Sequence, residues 1–210
     1  MVLKQKKAEM GVGTLIVFIA MLLVAAVAAG VLIQTVGSLQ EKSLATGQQA
    51  RTQISTNARV IEVSATDGRA GNLSDFEQLM KLSPGSDPIK LDQVIFTFNT
   101  QNTSSTLKYR EGANCSRNNE TDEANNLTGY YTDQTTGEGF FTVIYEQEGS
   151  NHVPGNLQRG DIIRLCYAGV GNIGEDEMVR LNFIPRIGTP TLTQFATPDV
   201  ITTQRVYLYP

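Results

Sequence analysis

The chain has 210 residues, with 17 Lys and Arg against 21 Asp and Glu, one His, two Cys, no Trp and a net charge of −4, a length that suits one domain plus a tail or one large all-β domain. The acidic balance argues against a basic nucleic-acid-binding surface, and a single histidine leaves almost no room for a His-rich metal site or a Ser/His/Asp triad, so no catalytic residue is expected. Two cysteines cannot build a four-Cys zinc site or a disulfide framework.

The N-terminus opens with a basic stretch, MVLKQKKA, carrying Lys4, Lys6 and Lys7, and Leu15 to Ile33 then form an unbroken run of 19 apolar residues. At 1.5 Å per helical residue such a run matches the ~30 Å hydrocarbon layer. A cleaved secretory signal has a shorter apolar stretch, of roughly 7 to 15 residues. Ala28-Ala29-Gly30 imitates its cleavage site, but Val31-Leu32-Ile33 carry the apolar pattern past it. Beyond Gln34, Val36, Leu39, Ala50, Ile54, Ala58 and Ile61 keep a narrow apolar stripe, and no proline precedes Pro84. The pattern predicts one helix reaching about Ser64, on the order of 80 Å long. A bilayer covers less than half of that.

Asp67-Gly68, Gly71-Asn72 and Ser83-Pro84-Gly85 end the helical pattern, and all seven prolines follow. Ile89–Phe98, Phe140–Tyr145, Ile162–Tyr167, Met178–Ile184 and Val206–Tyr209 are rich in β-branched and aromatic residues and bounded by turn formers, which predicts strands. Alternation at Val94/Phe96/Phe98 and Val179/Leu181/Phe183 gives each strand one buried face. The predicted fold class is therefore α+β: a long N-terminal hydrophobic α-helix followed by an antiparallel, Ig-like β-sandwich head. The boundaries are set at 1–8 for the basic leader, 9–65 for the helix and 66–210 for the head. Charge divides the same way: residues 9–65 hold three acidic and three basic residues, whereas 66–210 hold 18 and 11, a net of −7.

The segment from Lys6 through KKAEMGVGTLIVFIA to Ile33 resembles the N-terminus of archaellins, the filament subunits of the archaeal flagellum. LSPGSDPIKLDQV at Leu82–Val94 and the ending VRLNFIPRIGTP…FATPDV…VYLYP from Val179 to Pro210 extend the resemblance. It implies that a prepilin-peptidase-like enzyme cuts the leader between Ala8 and Glu9, just after Lys6 and Lys7. Ala8 departs from the Gly usual before that cut. Type IV pilins share the architecture but usually carry Glu at the fifth mature position, where this chain has Gly13. The function so implied is a structural, non-enzymatic subunit that polymerises through its helix into an extracellular swimming filament, alone or with other archaellins, on a flagellar motor platform. An adhesive type IV-like pilin and a non-polymerising membrane-anchored binding module are the alternatives.

Physical chemistry supports the same picture. Flanking lysines hold the leader on the cytoplasmic side while the run stores the precursor in the membrane. Loss of the leader's three lysines leaves 14 basic against 21 acidic residues, a net of −7. Outside the membrane the run must pack against copies of itself, because exposing it to water costs tens of kcal/mol at roughly 25 cal/mol per Å². Leu15, Phe18, Leu22, Ala25, Ala26, Ala29, Gly30 and Ile33 are the candidate packing residues, with small-xxx-small spacing at Ala25/Ala29 and Ala26/Gly30.

Asn-x-Ser/Thr sequons occur at Asn72, Asn102, Asn114, Asn119 and Asn126. They mark candidate N-glycan sites, or an Asn/Thr-rich loop in which sequons arise by chance. Cys115 and Cys166 either pair, pinning the polar loop to a core strand, or remain an exposed and a buried thiol. No cofactor is expected. Glu175-Asp176-Glu177 with Asn172 is the one stretch suited to Ca²⁺, but it lacks EF-hand spacing and Gly171–Gly174 reads first as a turn. Arg159-Gly160-Asp161 reads as a turn entering a strand, and His152 as a solvated loop side chain.

Overall fold

A computed structural model of the chain describes residues 2–111, 115 and 139–210, with the side chains of 2–10, 70 and 170–171 left aside. It divides into two compact units, residues 1–50 and 51–210.

The first unit is helical over its described residues. Helix α1 spans Val2–Ser55, 54 residues, or about 80 Å at 1.5 Å per residue. It contains no proline, and its interior glycines have open space around them, so nothing within the chain interrupts the ladder. The final turn, from Arg51, belongs to the second unit.

The helix ends nine residues before the expected Ser64. Ala58 and Ile61, placed by periodicity on its apolar stripe, lie instead in strand β1, Ala58–Ala65. A tertiary partner decides the matter. Ala58 through Ala65 pair with β2, Leu73–Leu82, and Val63 through Ala65 also pair with β11, Val206–Tyr209. Strand geometry sends Val63 and Ala65 into the core, which a helix continuing away from the sheet would not.

The remaining strands are β3 (Ile89–Lys90), β4 (Val94–Asn99), β5 (Ser104–Tyr109), β6 (Gly139–Gln147), β7 (Asn156–Leu157), β8 (Ile162–Ile173), β9 (Met178–Pro185) and β10 (Thr191–Ala196). Each predicted strand is present. A short 3₁₀ turn at Leu91–Gln93 splits the first of them into β3 and β4, and β8 runs on through Ile173, so Gly171–Ile173 form strand rather than turn. Strand β1 falls in the stretch predicted as helix, and β2, β5, β7 and β10 lie outside the predicted runs because polar residues interrupt their apolar content.

Among the described residues, nine strands form one hydrogen-bonded sheet in the order β10-β9-β4-β5-β6-β8-β2-β1-β11, antiparallel except for the parallel pair β5-β6; β3 and β7 make a separate ribbon. The two layers expected of a sandwich are thus halves of a single curled sheet. Aromatic rings from opposing strands fill the space between them. Phe76 of β2 lies 5.4 Å from Phe98 of β4, and Tyr167 of β8 lies 4.8 Å from Phe96, distances at which ring edges and faces attract beyond simple burial. Closure is completed by side chains: the Thr191 hydroxyl on edge strand β10 donates to the Ala58 carbonyl of β1 at 2.7 Å. Twisted open sheets of this breadth commonly curl, since curling lets one apolar face bury itself.

Candidate assembly surface

From Gly11 to Ala50 every residue of α1 is exposed. Leu15 is 57% and Ile33 74% accessible, with Phe18 and Leu22 equally uncovered. Ala25, Ala26, Ala29 and Gly30 are exposed too, and a Cβ built on Gly30 would meet nothing within 4 Å. The glycine therefore serves no packing need inside this chain. No charged residue occurs between Met10 and Glu41, so this stretch offers no ion pair, and from Leu15 to Ile33 its surface is apolar throughout. Such a helix is stable in lipid or against other apolar helices, and in water it is not. Lys6, Lys7, Ala8 and Glu9 continue the helical backbone; their side chains lie outside the described residues.

The last turn of the helix enters a hydrogen-bonded seat in the head. The Thr56 amide closes the final helical bond to the Thr52 carbonyl at 3.1 Å. Beyond it the exposed ends of the backbone need partners. Ser86, fully buried, accepts from the Asn57 amide at 3.0 Å, and its hydroxyl proton faces the carbonyls of Ser55 (3.0 Å) and Asn57 (3.1 Å). The Thr189 amide donates to the Thr56 carbonyl at 2.9 Å, and the Ser83 amide to that of Asn57 at 2.9 Å. Arg159 Nε in turn donates to the Ser86 carbonyl at 3.0 Å. Gly188, at φ +126°, lets the chain pass Thr56 closely: a Cβ there would lie 2.7 Å from the Thr56 carbonyl oxygen. Sequence reasoning missed these residues, although Ser83, Ser86, Gly188 and Thr189 all lie within the two head segments that carry the family resemblance. That coincidence was the available signal.

The other candidates disperse over the head. Asn72 and Asn102 are exposed; Asn114, Asn119 and Asn126 lie outside the described residues. The Ser74 hydroxyl and amide of the Asn72 sequon both donate to the Asp67 carboxylate. Cys115 and Cys166 are joined as a disulfide with Cα atoms 5.7 Å apart, and Cys166 is buried on the outer side of β8. Glu175 accepts from the Ile201 amide at 3.1 Å and Glu177 from the Gly174 amide at 3.3 Å, so both carboxylates brace turns. Among the described residues no group of three or more His, Cys, Asp or Glu is gathered as a metal site.

Asp161 of the Arg-Gly-Asp triplet is buried and accepts from the amides of Gly149 (2.7 Å) and Gln158 (3.0 Å), so its carboxylate ties a loop together. His152 departs from expectation. It is not solvated: its side chain is 17% accessible, its ring meets Tyr145 edge-on at 4.3 Å, and Nδ1 sits 3.5 Å from Asp161. The apolar face of Tyr145 accounts for this. Burial pushes the Tyr145 phenol up to about 12, and full burial raises Tyr167 well above its ordinary value.

Comparison with known proteins bears on this arrangement. A family model described as archaeal-type flagellin matches residues 8–195. Flagellin B3 of Methanococcus voltae is 30% identical over 98% of this chain and 98% of its own length, and flagellin B2 of Methanocaldococcus jannaschii is 33% identical over 97% and 95%. Among solved structures, the archaeal flagellum of Methanospirillum hungatei superposes with a TM-score of 0.64 at 16% identity, covering 95% of this chain and 99% of that one. The crystal structure of archaeal flagellin FlaB1 from M. jannaschii gives 0.58 at 17% identity, covering 73% and 97%.

Proposed function

The chain belongs to the archaeal-type flagellin family, and on that premise we propose that it is the structural, non-enzymatic subunit of an archaeal flagellum filament, polymerising through α1. The observation that carries this reading is the helix itself. Its 19-residue apolar run is exposed along its whole length, and burial against copies of itself would supply tens of kcal/mol that a monomer in water forgoes. Small residues at Ala25, Ala26, Ala29 and Gly30 allow the close helix approach that such packing needs.

Before assembly the run holds the precursor in the membrane, with the lysine-bearing leader on the cytoplasmic side. A prepilin-peptidase-like enzyme then cuts between Ala8 and Glu9, and a motor platform receives the subunit. The match to the family model begins at residue 8, just after the three lysines, which supports that cut. N-linked glycans on the outward sequons, with Asn102 exposed in a hairpin turn, complete the surface.

Peptide mapping of purified surface filaments tests the whole reading. It predicts filaments containing this chain with Glu9 as the first residue. An intact Met1 in assembled material would overturn the processing step, and membrane-bound chain without filaments would overturn polymerisation.

A further inference from the structure

Helix α1 is not supported evenly along its length. Residues 15–33 are apolar throughout and suit lipid. The final turn, from Arg51, belongs with the head, where the Ser86 hydroxyl reaches the Ser55 carbonyl at 3.0 Å. Residues 34–50 have neither support: every one is exposed, and most are Gln, Ser, Thr or Gly.

Composition decides whether such a stretch stays wound in water. Propagation multiplies the weight of a helix by about 1.3 per good residue, or about 90-fold over the 17 residues of 34–50. Against this, Gly37 and Gly47 each weaken the helix roughly fivefold relative to Ala, and Thr35, Val36, Ser38, Ser43 and Thr46 roughly twofold each, about 800-fold together. The wound form alone is thus outweighed about tenfold, even with its first turn supplied by the lipid-held helix before it. Thr35 and Thr46 donate to the Leu32 and Lys42 carbonyls, each at 2.9 Å, a bond that slightly loosens a helix. Glu41 and Lys42, the charged residues of the stretch, are adjacent in the chain and so do not face one another. Open space surrounds Gly37 and Gly47, so neither glycine makes room for another part of this chain.

We propose that residues 34–50 are a winding tether, open while the apolar run is held in the membrane and wound into α1 when the helices of other copies of this chain pack along it. The inference rests on the filament reading above. Val36, Leu39 and Leu44 are exposed and carry apolar surface beyond the end of the run, and burying even one Leu side chain against a neighbour outweighs a tenfold deficit. Open, the 17 residues reach up to about 56 Å; wound, they span about 26 Å. The head is thus loosely tethered before assembly and joined through a continuous helix after it.

The test compares the full-length precursor in lipid nanodiscs with assembled filaments, by hydrogen exchange read by mass spectrometry and by limited trypsin digestion. In the precursor, amides of 34–50 should exchange within about twofold of an unstructured chain while those of the run and the sheet stay protected. Trypsin should cut after Lys42. In filaments the same amides should exchange at least about a hundredfold more slowly, and the Lys42 site should be spared. Combining Thr35→Ala, Gly37→Ala, Ser38→Ala, Ser43→Ala, Thr46→Ala and Gly47→Ala shifts the balance about 400-fold toward helix, which should slow exchange in the precursor about fortyfold and leave membrane insertion intact. Protection of 34–50 in the precursor equal to that in filaments would overturn the proposal, as would rapid exchange of this stretch within filaments. Absence of filaments from the unaltered chain would instead overturn the filament reading, while the precursor measurement would still decide whether the tether is open.

Discussion

Replacing Ser86 by Ala probes the seat of the helix more directly than any change to the helix itself. The hydroxyl is fully buried and serves three backbone groups: it accepts from the Asn57 amide at 3.0 Å and faces the Ser55 and Asn57 carbonyls at 3.0 and 3.1 Å. The Asn57 carbonyl keeps its bond from the Ser83 amide, so truncation strands chiefly the Asn57 amide. An orphaned buried backbone donor costs about 1–3 kcal/mol. For a unit of 160 residues, Arg51–Pro210, each kcal/mol lowers the melting temperature by about 2–4 °C. The expected fall is therefore about 2–12 °C, measured by thermal unfolding of the head followed by circular dichroism. Gly188→Ala should cost at least as much, because its Cβ would lie 2.7 Å from the Thr56 carbonyl at a backbone angle that side chains rarely adopt. A Ser86→Ala head that melts within 1 °C of the wild type would show that the seat contributes little and that β-pairing alone positions residues 55–58.

Three further outcomes are expected. Reducing the Cys115–Cys166 bridge, which spans 51 residues, should lower head stability by about 4 kcal/mol on the loop-entropy account; urea midpoints that coincide with and without reductant would refute this. The raised phenol of Tyr145 makes the unfolded state lose its proton first, so its contribution is intact below pH ~10 and lost as pH rises toward about 12. Tyr145→Phe should flatten the alkaline fall in stability over that window, and parallel profiles would contradict it. Ala26→Leu or Gly30→Leu should leave membrane insertion and the head intact while weakening filament growth about fivefold or more per added subunit, since overpacking costs roughly 1–3 kcal/mol per site; filaments of normal length from both would show that this face is not the assembly interface.

Leu15–Ile33 could be read from sequence because transfer between water and an apolar medium depends on which side chains are present, hardly at all on what the rest of the chain does. The same holds for β4 and β9, whose alternation at Val94/Phe96/Phe98 and Val179/Leu181/Phe183 survives as buried faces. The end of the helix could not be read this way. Ala58 and Ile61 continue the helical stripe of Ile54, yet the same stretch pairs as a strand, and the choice falls to β2 and β11, the latter more than 140 residues away in the chain. β2 shows the same dependence: Leu73-Ser-Asp-Phe-Glu-Gln-Leu-Met-Lys-Leu82 has no clean alternation, yet β1 and β8 on its two sides make it a central strand. His152 reads as a polar loop residue until Tyr145 and Asp161, brought together from β6 and the entry to β8, enclose it. Composition and period report local free energies, whereas register, the curl of the sheet and the seat at Ser86 arise from hydrogen bonds between segments that only the folded chain brings within 3 Å of one another.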